Sequence, residues 1–99
     1  MRIRFFAYLR NFTGCAEADI PYEVTAGALA RSLCDRYGDK LREKIFPPDI
    51  LCAREGTPAE FGREIIILIN GRHVCHMGGV SAPLKPDDRV DVFPVVAGG

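Results

Sequence analysis

Five apolar residues, Ile65-Ile66-Ile67-Leu68-Ile69, run without a break towards Asn70-Gly71. Apolar side chains stand at both parities of the run. A strand made from it meets apolar neighbours on both faces, so it is expected in the middle of a sheet. Asn70-Gly71 then fixes the direction of the next segment. A type I′ hairpin turn needs positive φ at both central residues, and Asn-Gly supplies that most readily. The chain is expected to reverse there and return as a short strand over residues 73–76. A sheet with a buried centre in turn needs a second layer to cover it.

The remaining segments supply that layer and the other strands. Ile3, Phe5, Ala7 and Leu9 alternate with Arg4, Phe6 and Tyr8, so residues 2–9 read as a first strand. Beyond a turn at Gly14, the alternation of Ala18, Ile20, Tyr22 and Val24 predicts a second strand, antiparallel to the first. Pro21 inside it cannot donate to a ladder, which points to an edge position or a bulge. Thr25 has the position of an N-cap. It precedes a segment in which Leu29, Ala30, Leu33, Cys34 and Tyr37 share one helical face, and Gly38 closes that helix. Residues 39–46 add a shorter helix carrying Leu41 and Ile45, stopped by Pro47-Pro48. Residues 49–62 read as a loop. Gly78-Gly79 ends the short strand, Pro86-Asp87-Asp88 is turn chemistry, and residues 89–95 form the last strand. This order is α+β. It fits the β-grasp arrangement, a mixed four- to five-stranded sheet packed on one main helix, with the first and last strands side by side. Ninety-nine residues make a single such domain, 1–99, with a flexible tail over residues 94–99.

Few residue sets suggest catalysis. Cys15, Cys34, Cys52 and Cys75 lie 19, 18 and 23 residues apart, so C-x-x-C pairs of zinc ribbons or thioredoxins are missing. The C-x₄-C-x₂-C spacing of plant-type ferredoxins is missing too. His73, Cys75 and His76 are close in sequence, yet a built metal site needs a fourth partner or an open position with support behind it. They read as polar residues of a short edge strand, and no metal is assigned. Thirteen basic and thirteen acidic residues cancel, which argues against nucleic acid or anionic lipid as a partner. The start of the chain alternates charged and apolar residues, unlike an export signal, and the longest apolar run is too short to span a bilayer. The expected location is the cytoplasm, with reduced thiols.

The last residues are more informative. After Asp91 there is no charged side chain, and Pro94-Val95-Val96 leads to Ala97-Gly98-Gly99. If extended, residues 94–99 reach about 20 Å. Without bulk at the tip, that backbone can enter a narrow channel on a partner. The reactive group there is the carboxylate of Gly99. It is a poor electrophile until adenylated, and a partner enzyme holding ATP can adenylate it. The acyl-adenylate then accepts sulfur, giving a thiocarboxylate, or an amine, giving an amide.

The segment from Ile65 to Gly99 resembles the end of the MoaD/ThiS family of sulfur carriers, most closely its MoaD side. The resemblance is carried by Asn70, Gly71, Pro83, Leu84, Asp87, Asp88, Val90, Phe93, Pro94, Val96, Ala97, Gly98 and Gly99. The start, residues 2–14, is also similar to that family. Val95 departs from it, because a second proline is frequent at that position. The resemblance implies the ubiquitin-like form of the β-grasp, and a carrier that binds no cofactor of its own and is not itself an enzyme. It implies adenylation of Gly99 by a MoeB-like activating enzyme that uses ATP, sulfur from a donor protein, and a MoaE-like large subunit that builds the dithiolene of molybdopterin. The stretch around Asn70 to Gly79 is similar to small archaeal-type modifiers joined to lysines, which leaves that alternative open. A third alternative is a plain β-grasp interaction module. Phe6, Tyr8, Ile66, Leu68 and Phe93 share the parity that points away from the helix. A contiguous apolar patch of this kind marks a partner site, continued by Pro94, Val95, Val96 and Ala97, or else it is covered by the loop before residue 62.

Overall fold

The computed structural model describes residues 1–46, 61, 62 and 64–95. Val96, Ala97, Gly98, Gly99 and residues 47–60 of the expected loop lie outside the described residues. The strands are β1 (Arg2–Phe5), β2 (Glu17–Asp19), β3 (Ile65–Ile69), β4 (Arg72–His73) and β5 (Val90–Pro94). They form one mixed sheet in the order β2-β1-β5-β3-β4. β1 and β5 are parallel neighbours, with Ile3 beside Val90 and Phe5 beside Val92. The other pairs are antiparallel. The first and last strands therefore lie side by side, as the α+β reading expects of a β-grasp.

The main helix is α2 (Ala26–Tyr37), flanked by the short α1 (Leu9–Thr13) and α3 (Asp39–Ile45). Thr25 caps α2, its Oγ1 accepting the Ala28 N–H at 3.2 Å, and Gly38 leaves it at φ 92°. Leu29, Ala30, Leu33 and Cys34 are buried as their spacing predicts. They pack with Ile3, Phe5, Ile65, Ile67, Ile69, Val90 and Val92 in one core. Gly27 lets α2 come close to the loop over Gly79–Ser81. A Cβ at that position would stand 2.8 Å from the Val80 carbonyl oxygen. Asn70 and Gly71 have φ of 53° and 84°, the paired positive values of a type I′ turn. Asn70 also ties that turn to the last strand: its Nδ2 donates to Asp88 at 2.8 Å and its Oδ1 accepts the Arg89 N–H at 2.9 Å.

The elements differ from the sequence reading in four places. β1 stops at Phe5 because the chain turns at Ala7, φ 54°. Ala7 is exposed, and Leu9 is buried from a helix rather than from a strand. The apparent alternation through residues 2–9 joined two elements. β2 ends at Asp19, before Pro21, so Tyr22 and Val24 lie outside the sheet and stay exposed. The return strand after the hairpin keeps only Arg72–His73, and residues Val74–His76 form a 3₁₀ turn with Val74 buried. Finally, β3 has a full-length neighbour on one side alone, β5, with the short β4 on the other. Its two parities are unequal: Ile65, Ile67 and Ile69 are buried, while Ile66 and Leu68 are half-buried. Among the described residues, no helix is long and apolar enough to cross a membrane.

Candidate functional site

The half-buried parity defines the face of the sheet away from α2. Register places its residues. Ile66 stands opposite Phe93, and Leu68 opposite Asp91. Because β1 and β5 are parallel, both run in the same direction, and the residue just past β1 meets the end of β5. Phe6 and Phe93 stack there, with centroids 4.2 Å apart and planes within 8°. The structure thus brings together Phe6, Ile66, Leu68 and Phe93. It does not bring Tyr8 with them. The turn at Ala7 breaks the parity, and Tyr8 packs instead against Phe12 at 5.6 Å and beneath the Lys44 ammonium at 5.7 Å. Tyr8 is therefore removed from the candidate face.

The last strand takes in the first of the residues expected for the tail. Pro94 is still paired, opposite Ile65, and the Val95 N–H donates to the Glu64 carbonyl at 2.9 Å. Pro94 and Val95 are held, so any free tail starts beyond them. Val95 also borders a groove of about 470 Å³ lined by Phe61, Ile65, Ile66, Val74 and Cys75 among others.

Sequence reasoning missed the charged residues of this face. Arg4 and Asp91 form a bidentate pair, Nε to Oδ1 at 2.7 Å and Nη2 to Oδ2 at 3.0 Å. Asp91 is only 6% exposed. The hydrogen bond from Arg4 to Asp91, helped by their attraction, holds the guanidinium still more firmly protonated than usual. A signal did exist: Asp91 interrupts an apolar strand, and a buried carboxylate needs a cationic partner. Arg4 also lies 5.3 Å from the Phe6 ring centroid, and Arg10 6.0 Å from it. Arg10 is anchored by Nε donating to the Phe5 carbonyl at 3.0 Å. Lys44 pairs with Glu64 at 3.3 Å, which raises its ammonium pKa.

The cysteine and histidine residues give no comparable assembly. Cys34 is buried, and desolvation pushes its thiol from 9.0 up to about 11. The Cys15 sulfur lies 3.7 Å from the Tyr37 hydroxyl. His73 Nδ1 accepts the Cys75 N–H at 3.1 Å, and the His73 and His76 rings are nearly perpendicular at 6.0 Å. Among the described residues, no group of three His, Cys, Asp or Glu side chains is arranged to hold a metal ion. The face presents an aromatic stack and two aliphatic side chains around a neutralised ion pair, beside the last strand.

Comparison with known proteins bears on that surface. The model of the ThiS family matches residues 3–99. Small archaeal modifier protein 3 of Haloferax volcanii is 34% identical over all of this chain and 98% of its own length. The solution structure of small archaeal modifier protein 1 from Methanosarcina acetivorans superposes with a TM-score of 0.80 at 31% identity, covering 99% of this chain and 94% of that one. CysO of Mycobacterium tuberculosis shares the fold, with a TM-score of 0.75 at 23% identity over 96% of this chain and 98% of that one.

Proposed function

The chain belongs to the ThiS family of ubiquitin-like carriers and modifiers, and on that premise we propose that it carries an activated C-terminus. In this reading the Gly99 carboxylate attacks the α-phosphorus of ATP on a MoeB-like partner, and pyrophosphate leaves. Sulfide, released from the donor at the sulfide oxidation level, then attacks the acyl carbon of the adenylate, AMP leaves, and a thiocarboxylate results. A MoaE-like subunit takes that sulfur for the dithiolene of molybdopterin. The single observation that carries the reading is the parallel pairing of β1 with β5. It sets the Phe6–Phe93 stack, Ile66 and Leu68 on one half-open face at the point where the chain leaves for Gly98-Gly99. A partner that grips this face holds the residues beyond Val95 in its own active site. From Val95, the four residues 96–99 span at most about 14 Å. The adenylating phosphate must therefore sit within that distance of the docked sheet.

A second reading, amide formation with lysines of other proteins, uses the same adenylate. The likeness to two small archaeal modifier proteins favours it. The test is the intact mass of the protein after incubation with ATP, the adenylating enzyme of the same genome and a sulfur donor. Exchange of one oxygen for sulfur on Gly99 supports the carrier. Covalent addition to lysines supports the modifier. If the protein acquires neither, it is a plain interaction module.

A further inference from the structure

Among the described residues, several cations on or near the docking face are paired within the chain. Arg4 has Asp91, Lys44 has Glu64, and Arg2 lies 3.9 Å from Glu17. Arg10 has no such partner, and among the described residues neither has the exposed Arg89 just before β5; of these two, Arg10 is the one beside the aromatic stack. Its Nε donates to the neutral Phe5 carbonyl, and among the described residues no carboxylate lies within ion-pair distance of it. Yet its guanidinium stands 6.0 Å from the Phe6 ring, whose stack with Phe93 is the aromatic centre of the face.

We infer that the protein docking on this face presents a carboxylate to Arg10, so that Arg10 selects an acidic partner beside the exit of the chain. The inference rests on the proposed function, which makes this face the docking surface. A partner that covers Phe6 and Phe93 also takes water from the Arg10 guanidinium. That group has five N–H donors, of which the Phe5 carbonyl uses one. Donors stripped of water and left unpaired are costly, and more so when charged. A backbone carbonyl would satisfy donors but leave the charge. A carboxylate takes two parallel N–H bonds and cancels the charge together. A nucleic acid does not fit the same surface. Arg10 set among apolar side chains is too little to displace the counterions of a phosphate backbone.

The experiment measures binding to the adenylating enzyme of the same genome at low and high salt. It uses wild type, Arg10→Gln, Arg10→Lys and Phe93→Ala, each checked for folding by thermal melting. Arg10→Gln should raise Kd roughly tenfold or more at low salt, as loss of a charge-assisted bond does. It should also flatten the salt dependence, whereas Arg10→Lys should weaken binding less than Arg10→Gln and keep the salt dependence, because it loses the bidentate fork but keeps the charge. Two results overturn the inference and leave the proposed function standing. In one, Arg10→Gln binds like wild type with unchanged salt dependence while Phe93→Ala binds weakly. In the other, Arg10→Gln and Arg10→Lys weaken equally, which makes the Phe5 carbonyl contact, not the charge, the thing that matters. A wild type that neither binds nor becomes adenylated overturns both.

Discussion

The Arg4–Asp91 pair makes an asymmetric prediction about stability. The two partners differ in exposure: the Arg4 side chain is 38% exposed and that of Asp91 9%. Replacing Arg4 by Met strands a buried carboxylate that cannot turn to water. Breaking a fully buried pair from one side costs about 3–5 kcal/mol. Here one partner is partly solvated, so screening reduces the loss to about 2 kcal/mol. Replacing Asp91 by Leu strands the other partner, but the Arg4 side chain is long and already reaches solvent, so a clearly smaller loss is expected than for Arg4→Met. The double variant leaves nothing charged and unpaired. It should return to within about 1 kcal/mol of wild type, since apolar replacement of a buried pair is close to neutral. Urea denaturation of the four proteins at neutral pH gives the double-mutant cycle. Equal losses for the two single variants, or a double variant that loses the sum of both, would refute the claim that Asp91 depends on Arg4 for its burial.

Other expectations come from the same geometry. Gly27→Ala gains about 1 kcal/mol of helix propensity but forces a Cβ to 2.8 Å from the Val80 carbonyl. With overpacking at about 1–3 kcal/mol, the net change in a denaturation curve should be a loss of about 1 kcal/mol. Phe93→Ala should stay folded and weaken binding to the adenylating enzyme by about 2 kcal/mol in calorimetry, as for an aromatic anchor. Deleting Gly99 should leave the melting curve unchanged and abolish adenylation in an ATP–pyrophosphate exchange assay, since the carboxylate no longer reaches the phosphate. The Cys34 thiol, raised from 9.0 to about 11 by burial, favours its neutral form in the folded state. Its share of stability is complete below the ordinary 9.0 and declines as pH rises through about 11. Cys34→Ala should remove that alkaline part of the unfolding profile, and thiol labelling at pH just under 9.0 should modify the exposed Cys75 before the buried Cys34.

Local chemistry determined much of this protein without help from the rest of the chain. Thr25 and Gly38 mark the ends of α2 because caps satisfy orphaned backbone groups of the helix itself. Asn70-Gly71 makes its turn because both residues accept positive φ. The order of those segments was enough for the β-grasp, and the apolar parity of β3 and β5 was enough to bring Ile66, Leu68 and Phe93 to one face. Tertiary structure decided the rest. Alternation through residues 2–9 looks the same whether Leu9 is buried from a strand or from a helix, so the turn at Ala7 and the removal of Tyr8 from the face needed the packed fold. Arg4 and Asp91 are 87 residues apart. Their meeting depends on the register of β1 against β5, where a slip of one residue would send each to the opposite face. The position of the Arg10 charge beside the Phe6–Phe93 stack, with no carboxylate near it among the described residues, is likewise a tertiary property. Arg2, Arg4 and Lys44 were given carboxylates by their neighbours in space, and Arg10 was given a carbonyl.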